Sequence, residues 1–114
     1  KRIREIGNQV SSIVADWLDF FFKHHAELGW NGSPLHDPCA VAVLMKPEIF
    51  TTQEMYVEID VEGNYTRGAT VADWHRSSGN LNNVTAVIGV DREKFVDLLV
   101  EVCKAYKGRK VEIA

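Results

Sequence analysis

The sequence has few of the features that bind polyanions or cross membranes. Its 114 residues carry 13 Lys and Arg against 16 Asp and Glu, a formal net charge of -3 at pH 7. That balance lacks the basic excess of nucleic-acid surfaces and polybasic membrane anchors. No apolar run reaches the roughly 20 residues that span a bilayer. We therefore expect neither a nucleic acid nor a membrane as partner.

Cysteine is also scarce. Cys39 and Cys103 are too few for a disulfide framework, and both lie in apolar segments. We expect two small buried hydrophobic residues in a reducing compartment. The first five residues include three basic ones but are not followed by the apolar stretch of a secretory signal. These features predict a cytoplasmic location.

The patterns that are present alternate between helix and strand, which predicts an α/β fold. Apolar residues spaced three and four apart predict a first helix from about Ile3 to Leu28, with Gly29 as its stop. Asp37 at the N-cap and Pro38 at the first helical position predict a second helix. This second helix is nearly all apolar, so we expect it to be buried.

The patterns in the second half of the chain predict strands and a last helix. Alternation from Val57 to Val61 and a second run from Thr66 to Trp74 predict a β-hairpin, with Gly68 as a candidate bulge. Residues 84–90 predict a strand covered on both faces. Asp91 caps a helix whose predicted core face is formed by Phe95, Leu98, Leu99, Val102 and Tyr106. The sequence thus carries more apolar faces than it can bury alone, which indicates a missing part or an obligate partner.

The pair His36-Asp37 is the candidate for chemistry. A helix N-terminus stabilises a carboxylate, and a neighbouring His can act as general acid or base. Asp-Pro at a helix start is also a common capping pair, and a loop His is most often solvent-facing. The dipeptide alone leaves both interpretations open.

The surrounding residues resemble the inosine-uridine type, calcium-dependent ribonucleoside hydrolases. The central motif is GSPLHDPCAVA at residues 32–42. The similarity continues in order along the chain, through Ile6-Gly7-Asn8, Phe50-Thr51-Thr52, Thr66-Arg67-Gly68, Val71-Ala72-Asp73-Trp74, Asn83-Val84 and Val90-Asp91. It implies that residues 1–114 are the C-terminal part of one hydrolase domain, an open, mostly parallel, Rossmann-like sheet flanked by helices, with a β-hairpin.

The resemblance also implies an activity. Family members cleave the N-glycosidic bond of ribonucleosides in nucleoside salvage, and they are commonly homo-oligomers. A Ca²⁺ ion binds the ribose hydroxyls and the attacking water. By this resemblance Asp37 is a calcium ligand, and His36 helps the base to depart. Two positions near the base, where related enzymes tend to carry Tyr, Arg or Gln, correspond to His24 and Leu28, four residues apart on the first helix. His24 could contact a base, whereas Leu28 could not hydrogen-bond one, and the alternative is a surface His24 and a packing Leu28.

The sequence departs from the family in one major respect. Calcium takes about six to eight oxygen ligands, and the Asp-rich segment that supplies most of them in the family is absent here. Glu58, Asp60 and Glu62 read as a solvated strand face, and His25 and His75 have no metal-ligand spacing. We therefore expect the chain to need an N-terminal portion and to be inactive without it.

Two other interpretations compete with a hydrolase fragment. The chain could be a non-catalytic α/β module of the same descent that binds nucleosides or a protein. It could also be an interaction domain whose first-helix aromatic residues form the interface.

Overall fold

The computed structural model describes residues 1–108, and its helices and strands confirm the α/β class. The elements are α1 (Gln9–Glu27), α2 (His36–Met45), β1 (Phe50–Met55), β2 (Val57–Ile59), β3 (Thr70–Ala72), β4 (Val84–Val90) and α3 (Arg92–Ala105), with short 3-10 turns at Arg4–Ile6 and Pro47–Ile49. Residues 1–47 and 91–108 form a helical unit, and residues 48–90 form a strand unit. None of the helices described has the length and apolarity needed to cross a membrane.

The first helix begins later than predicted. Gly7 adopts a φ of 73°, a left-handed conformation that ends the 3-10 turn before it. The Asn8 side chain then accepts a hydrogen bond from the backbone N–H of Ser11 at 2.7 Å, and the Ser11 hydroxyl accepts one from the backbone N–H of Asn8 at 3.0 Å. This reciprocal capping box starts α1 at Gln9. At the other end Gly29, with a φ of 80°, is the predicted stop.

The core of the helical unit lies between the N-terminal turn, α1 and α3. Its buried members are Ile3, Ala15, Val100 and Cys103. The predicted Asp91 cap is confirmed, because its side chain accepts a hydrogen bond from the backbone N–H of Lys94 at 3.2 Å.

The buried face of α3 differs in part from the predicted one. Phe95 and Leu98 are buried as expected, whereas Val102 and Tyr106 stay 37% and 38% exposed. Val100 and Cys103 are buried in their place. The apolar spacing alone did not determine how α3 is rotated about its axis, because both faces carry apolar residues.

Two predictions for α2 are wrong. The helix begins at His36 rather than at Pro38, its N-cap is Leu35, and no side-chain hydrogen bond caps it. Asp37 is therefore a first-turn residue and not the cap. Burial is also less than expected: Ala42 is buried, but Leu44 is 85% exposed. The apolar surface of α2 exceeds what residues 1–108 cover.

The predicted hairpin is confirmed but is shorter. β2 pairs with β3 in antiparallel register from Val57↔Ala72 to Ile59↔Thr70. Residues 60–69 form the loop, in which the Asp60 carboxylate accepts a backbone hydrogen bond from Gly63 at 2.8 Å. Gly68 has a φ of 90° and its N–H donates to the Asp60 carbonyl oxygen at 2.6 Å, so it closes this loop and is not a bulge.

The second ladder joins the predicted strand β4 to β1, which the sequence did not predict. It is antiparallel, from Phe50↔Val90 to Met55↔Val84, with a shift in register between Thr51 and Thr52. β1 is mostly polar, so it shows no strand periodicity. The valines and isoleucine of β4 are 39% to 48% exposed, so residues 1–108 do not cover both faces as predicted.

Strand direction departs from the expected mostly parallel sheet. Both ladders among the described residues are antiparallel and two-stranded. Residues 60–69, which connect β2 to β3, are too few for a parallel connection, which needs a crossover of about a dozen residues or more.

Candidate active site

A cleft of about 350 Å³ opens between the end of α1 and the loop that enters α2. Its volume is within the range of small-molecule pockets, about 300–1,000 Å³. The residues that line it are Phe21, His25, Pro34, Leu35, His36, Asp37 and Pro38. The cleft thus holds the predicted His36-Asp37 pair and two α1 residues that were not predicted.

The start of α2 places His36 and Asp37 side by side. The first helical hydrogen bond runs from the backbone N–H of Cys39 to the Leu35 carbonyl oxygen, at 3.1 Å. Unpaired N–H groups and the helix dipole favour a negative charge at this end. Both side chains are exposed. Within residues 1–108 the Asp37 carboxylate has no hydrogen bond or ion pair, so its oxygens are available to a ligand.

Phe21 and His25 reach the cleft from the last turns of α1. They are four residues apart, which puts them on one face of the helix. The ring centroids lie 4.4 Å apart at an interplanar angle of 63°. His25 Nδ1 lies 2.9 Å from the Phe21 carbonyl oxygen. These contacts hold an aromatic ring and an imidazole beside the His36-Asp37 pair.

The two residues expected near the base lie close by but are not among the lining residues. His24 is exposed, and its ring centroid lies 5.5 Å from that of His25. Leu28 is the C-cap of α1 and is 61% exposed. The sequence signal that could have identified Phe21 and His25 is their spacing of four, shared by many surface pairs of any helix.

The described carboxylates outside the cleft do not join Asp37 in a metal site. Asp16 and Asp19 each accept a hydrogen bond from Arg4 at 2.8 Å. Among residues 1–108 no group of three or more His, Cys, Asp and Glu side chains could hold a metal ion. The described residues therefore do not make a complete calcium site. The Asp37 carboxylate fits calcium as one hard oxygen ligand of such a site.

The cysteines do not add a nucleophile to this site. Burial raises the pKa of the Cys39 thiol, one residue after Pro38 in α2, and also that of Cys103. A thiol with a raised pKa stays protonated near neutral pH and is a poor nucleophile. The candidates for chemistry in the cleft are therefore the imidazoles and the Asp37 carboxylate.

Comparison with known proteins gives concordant matches. The family described as inosine-uridine preferring nucleoside hydrolase matches residues 1–97. A protein named pyrimidine-specific ribonucleoside hydrolase RihA from Salmonella newport is 52% identical over 108 residues, 93% of this chain and 35% of its own length. The protein of that name from Klebsiella pneumoniae is 53% identical over 103 residues, 89% of this chain and 33% of its own length.

A solved structure matches as well. It is a purine-preferring ribonucleoside hydrolase from Gardnerella vaginalis, with a TM-score of 0.70 and 30% identity over 91% of this chain. The match covers 33% of that protein. The present chain thus spans about a third of the length of the relatives that it matches.

Proposed function

Because this chain belongs to the inosine-uridine preferring nucleoside hydrolase family, we propose that the full-length protein hydrolyses the N-glycosidic bond of ribonucleosides. The products are ribose and the free base. One observation carries this proposal: the cleft places the His36 imidazole beside the Asp37 carboxylate, which has no partner within residues 1–108.

The chemistry of the pair suits this reaction. Glycosyl cleavage passes through a transition state that resembles an oxocarbenium ion, and negative charge develops on the departing base. His36 donates a proton or a hydrogen bond to that base. Asp37 serves as one ligand of Ca²⁺, together with oxygen ligands from outside residues 1–108. When bound, Ca²⁺ supplies the charge that orients water and favours its deprotonation.

The end of α1 forms the base side of the site in this proposal. His24 and Leu28 stay predicted substrate-binding residues, with His24 able to hydrogen-bond a base and Leu28 able only to pack against one. Their support is their position, since His24 lies in the last turn of α1 next to the cleft-lining His25, and Leu28 is the C-cap of that helix.

We assign pyrimidine ribonucleosides as the preferred substrates. The support is the higher sequence identity of the pyrimidine-specific relatives. Relatives of that name are 51% to 53% identical to this chain, whereas the purine-preferring structure is 30% identical. A base-binding pocket changes preference through few contacts. The more similar relatives therefore give the better guide.

We also propose that the chain is the C-terminal part of one hydrolase domain and is inactive without an Asp-rich N-terminal portion. The exposed apolar surface supports this, since Trp17 is 69% and Phe20 76% exposed. Patches of this kind mark interfaces. The cytoplasmic location and the homo-oligomeric state stay predictions.

The deciding experiment measures release of free base by the full-length polypeptide that contains this chain. Uridine, cytidine and inosine are compared with Ca²⁺ present, after chelation, and after Ca²⁺ is restored. We expect uridine and cytidine to be cleaved faster than inosine, with activity lost on chelation and regained afterwards. Saturable nucleoside binding without base release would instead favour the non-catalytic binding module.

A further inference from the structure

His25 lines the cleft together with His36 and Asp37, although no sequence pattern predicted a role for it. It is half-buried, whereas the adjacent His24 is exposed. Of these two neighbouring histidines, His25 is the one that lines the cleft. A ligand in the cleft would therefore meet the His25 ring.

The backbone of α1 sets the tautomer of the His25 ring. A carbonyl oxygen can only accept a hydrogen bond, so the 2.9 Å contact with the Phe21 carbonyl requires that Nδ1 carries the proton and donates it. In the neutral imidazole the remaining lone pair is then on Nε2. His25 thus offers the ligand a hydrogen-bond acceptor.

Two aromatic contacts hold the ring in place. Phe21 meets it at a centroid distance of 4.4 Å, and Trp30 meets it at 5.5 Å with an interplanar angle of 65°. The chain after α1 turns back so that the backbone N–H of Trp30 donates to the His25 carbonyl oxygen at 3.0 Å. An acceptor oriented in advance loses less side-chain entropy when a ligand binds.

We propose that His25 is a specificity-determining residue of the base pocket, with Nε2 accepting a hydrogen bond from an N–H of the nucleobase. This rests on the proposed function. Uracil linked to ribose has a single N–H group, at N3, so in uridine that group is the donor. An acceptor that a bound ligand shields from water discriminates against an analogue that lacks the donor, because the acceptor is then left unpaired.

The test compares uridine with 3-methyluridine, in which a methyl group replaces the N3 hydrogen. It uses the full-length polypeptide that contains this chain and measures kcat/KM for both substrates. We expect the unmodified protein to prefer uridine. His25→Ala lowers kcat/KM for uridine about tenfold or more and changes that for 3-methyluridine by less than about twofold, so the preference is lost.

Three further variants separate the role of the acceptor from that of packing. His25→Phe keeps an aromatic ring against Phe21 and Trp30 but has no acceptor, so it should lose the preference even if His25→Ala does not fold. His25→Gln retains an acceptor oxygen and should restore part of the preference. His75→Ala is the matched control, because His75 is exposed and lies outside the cleft.

The outcomes distinguish the two proposals. Suppose that uridine is cleaved and that a folded His25→Phe variant keeps the full preference for uridine over 3-methyluridine. His25 then does not hydrogen-bond the base, and this inference is wrong while the proposed function stands. Equal loss for both substrates gives His25 a structural role and also overturns the inference. If the unmodified protein cleaves no ribonucleoside, the proposed function fails and the inference falls with it.

Discussion

The Asn8 side-chain amide donates a 2.8 Å hydrogen bond to the backbone carbonyl oxygen of Cys103, 95 residues further along the chain. The same side chain caps α1 through the backbone N–H of Ser11. One residue therefore starts α1 and ties it to the last turn of α3. Carbonyl oxygens near a helix C-terminus lack the regular helical hydrogen bond. That of Cys103 accepts a long 3.4 Å hydrogen bond from the Tyr106 backbone N–H, and Asn8 adds a shorter one.

We expect Asn8→Ala to lower the free energy of unfolding by about 1–3 kcal/mol, because it removes both a helix cap and the shorter of the two hydrogen bonds that the Cys103 carbonyl accepts. Asn8→Ser keeps a capping oxygen but cannot reach as far, so its loss should be smaller. Denaturant titration of the full-length protein measures both. Equal stability of Asn8→Ala and the unmodified protein would show that the contact contributes nothing.

His36→Ala should slow hydrolysis most when the leaving group is poor. We expect kcat for uridine to fall about 10²–10⁴-fold, the usual contribution of general acid catalysis. A para-nitrophenyl riboside, whose leaving group needs little protonation, should lose much less. Steady-state rates on the two substrates give the comparison, with His75→Ala as control. A uniform loss across both substrates contradicts a role for His36 in leaving-group departure.

Asp37→Ala should weaken calcium binding by about tenfold or more, because affinity depends on the charge of the ligand set. Calorimetric titration of the full-length protein with Ca²⁺ provides the measurement. Asp16→Asn is the matched control, since Asp16 pairs with Arg4 away from the cleft. Unchanged affinity in Asp37→Ala would reduce this residue to a part of the first turn of α2.

Asp73 should make a pH-dependent contribution to stability. Its pKa is well below the ordinary value, first because the Ser78 hydroxyl donates to it and then because the backbone N–H groups of Ser78 and Ser77 do so. A depressed folded-state pKa stabilises the fold above the unfolded pKa of about 3.9, and that stability is lost as pH falls further.

We therefore expect Asp73→Asn to unfold more readily than the unmodified protein at pH 7 and the difference to shrink progressively below about pH 4. Denaturant midpoints across this range measure it. Glu101→Gln removes an equal charge from an exposed position and serves as the control. A difference that stays constant down to the lowest pH would contradict the assignment.

Elements with a local signal were predictable from the sequence. β4 has the predicted bounds because its apolar run is uninterrupted, and α3 begins after Asp91 because the cap lies next to the helix that it starts. The start of α1 was misplaced, since Ile3 and Ile6 continue the helical spacing across the break at Gly7. β1 was missed because it is mostly polar and shows no alternation of apolar and polar residues, and because its partner, β4, is distant in sequence.

The candidate site was predictable only in part. The motif around His36 and Asp37 pointed to the family, which the match over residues 1–97 confirms. The roles of these two residues stay predictions. Phe21 and His25 were not singled out, because a spacing of four places two residues on one face without telling which face meets the cleft.

The sequence by itself determined the family, most of the helix and strand segments and the His36-Asp37 pair, because caps, periodicity and motifs act over a few residues. Only the tertiary structure decided that His25 lines the cleft while His24 is exposed. It likewise decided that the Asp37 carboxylate does not cap α2. The physical reason is that the rotation of α1 and the return of the chain at Trp30 depend on packing and hydrogen bonds between segments, which no local pattern records.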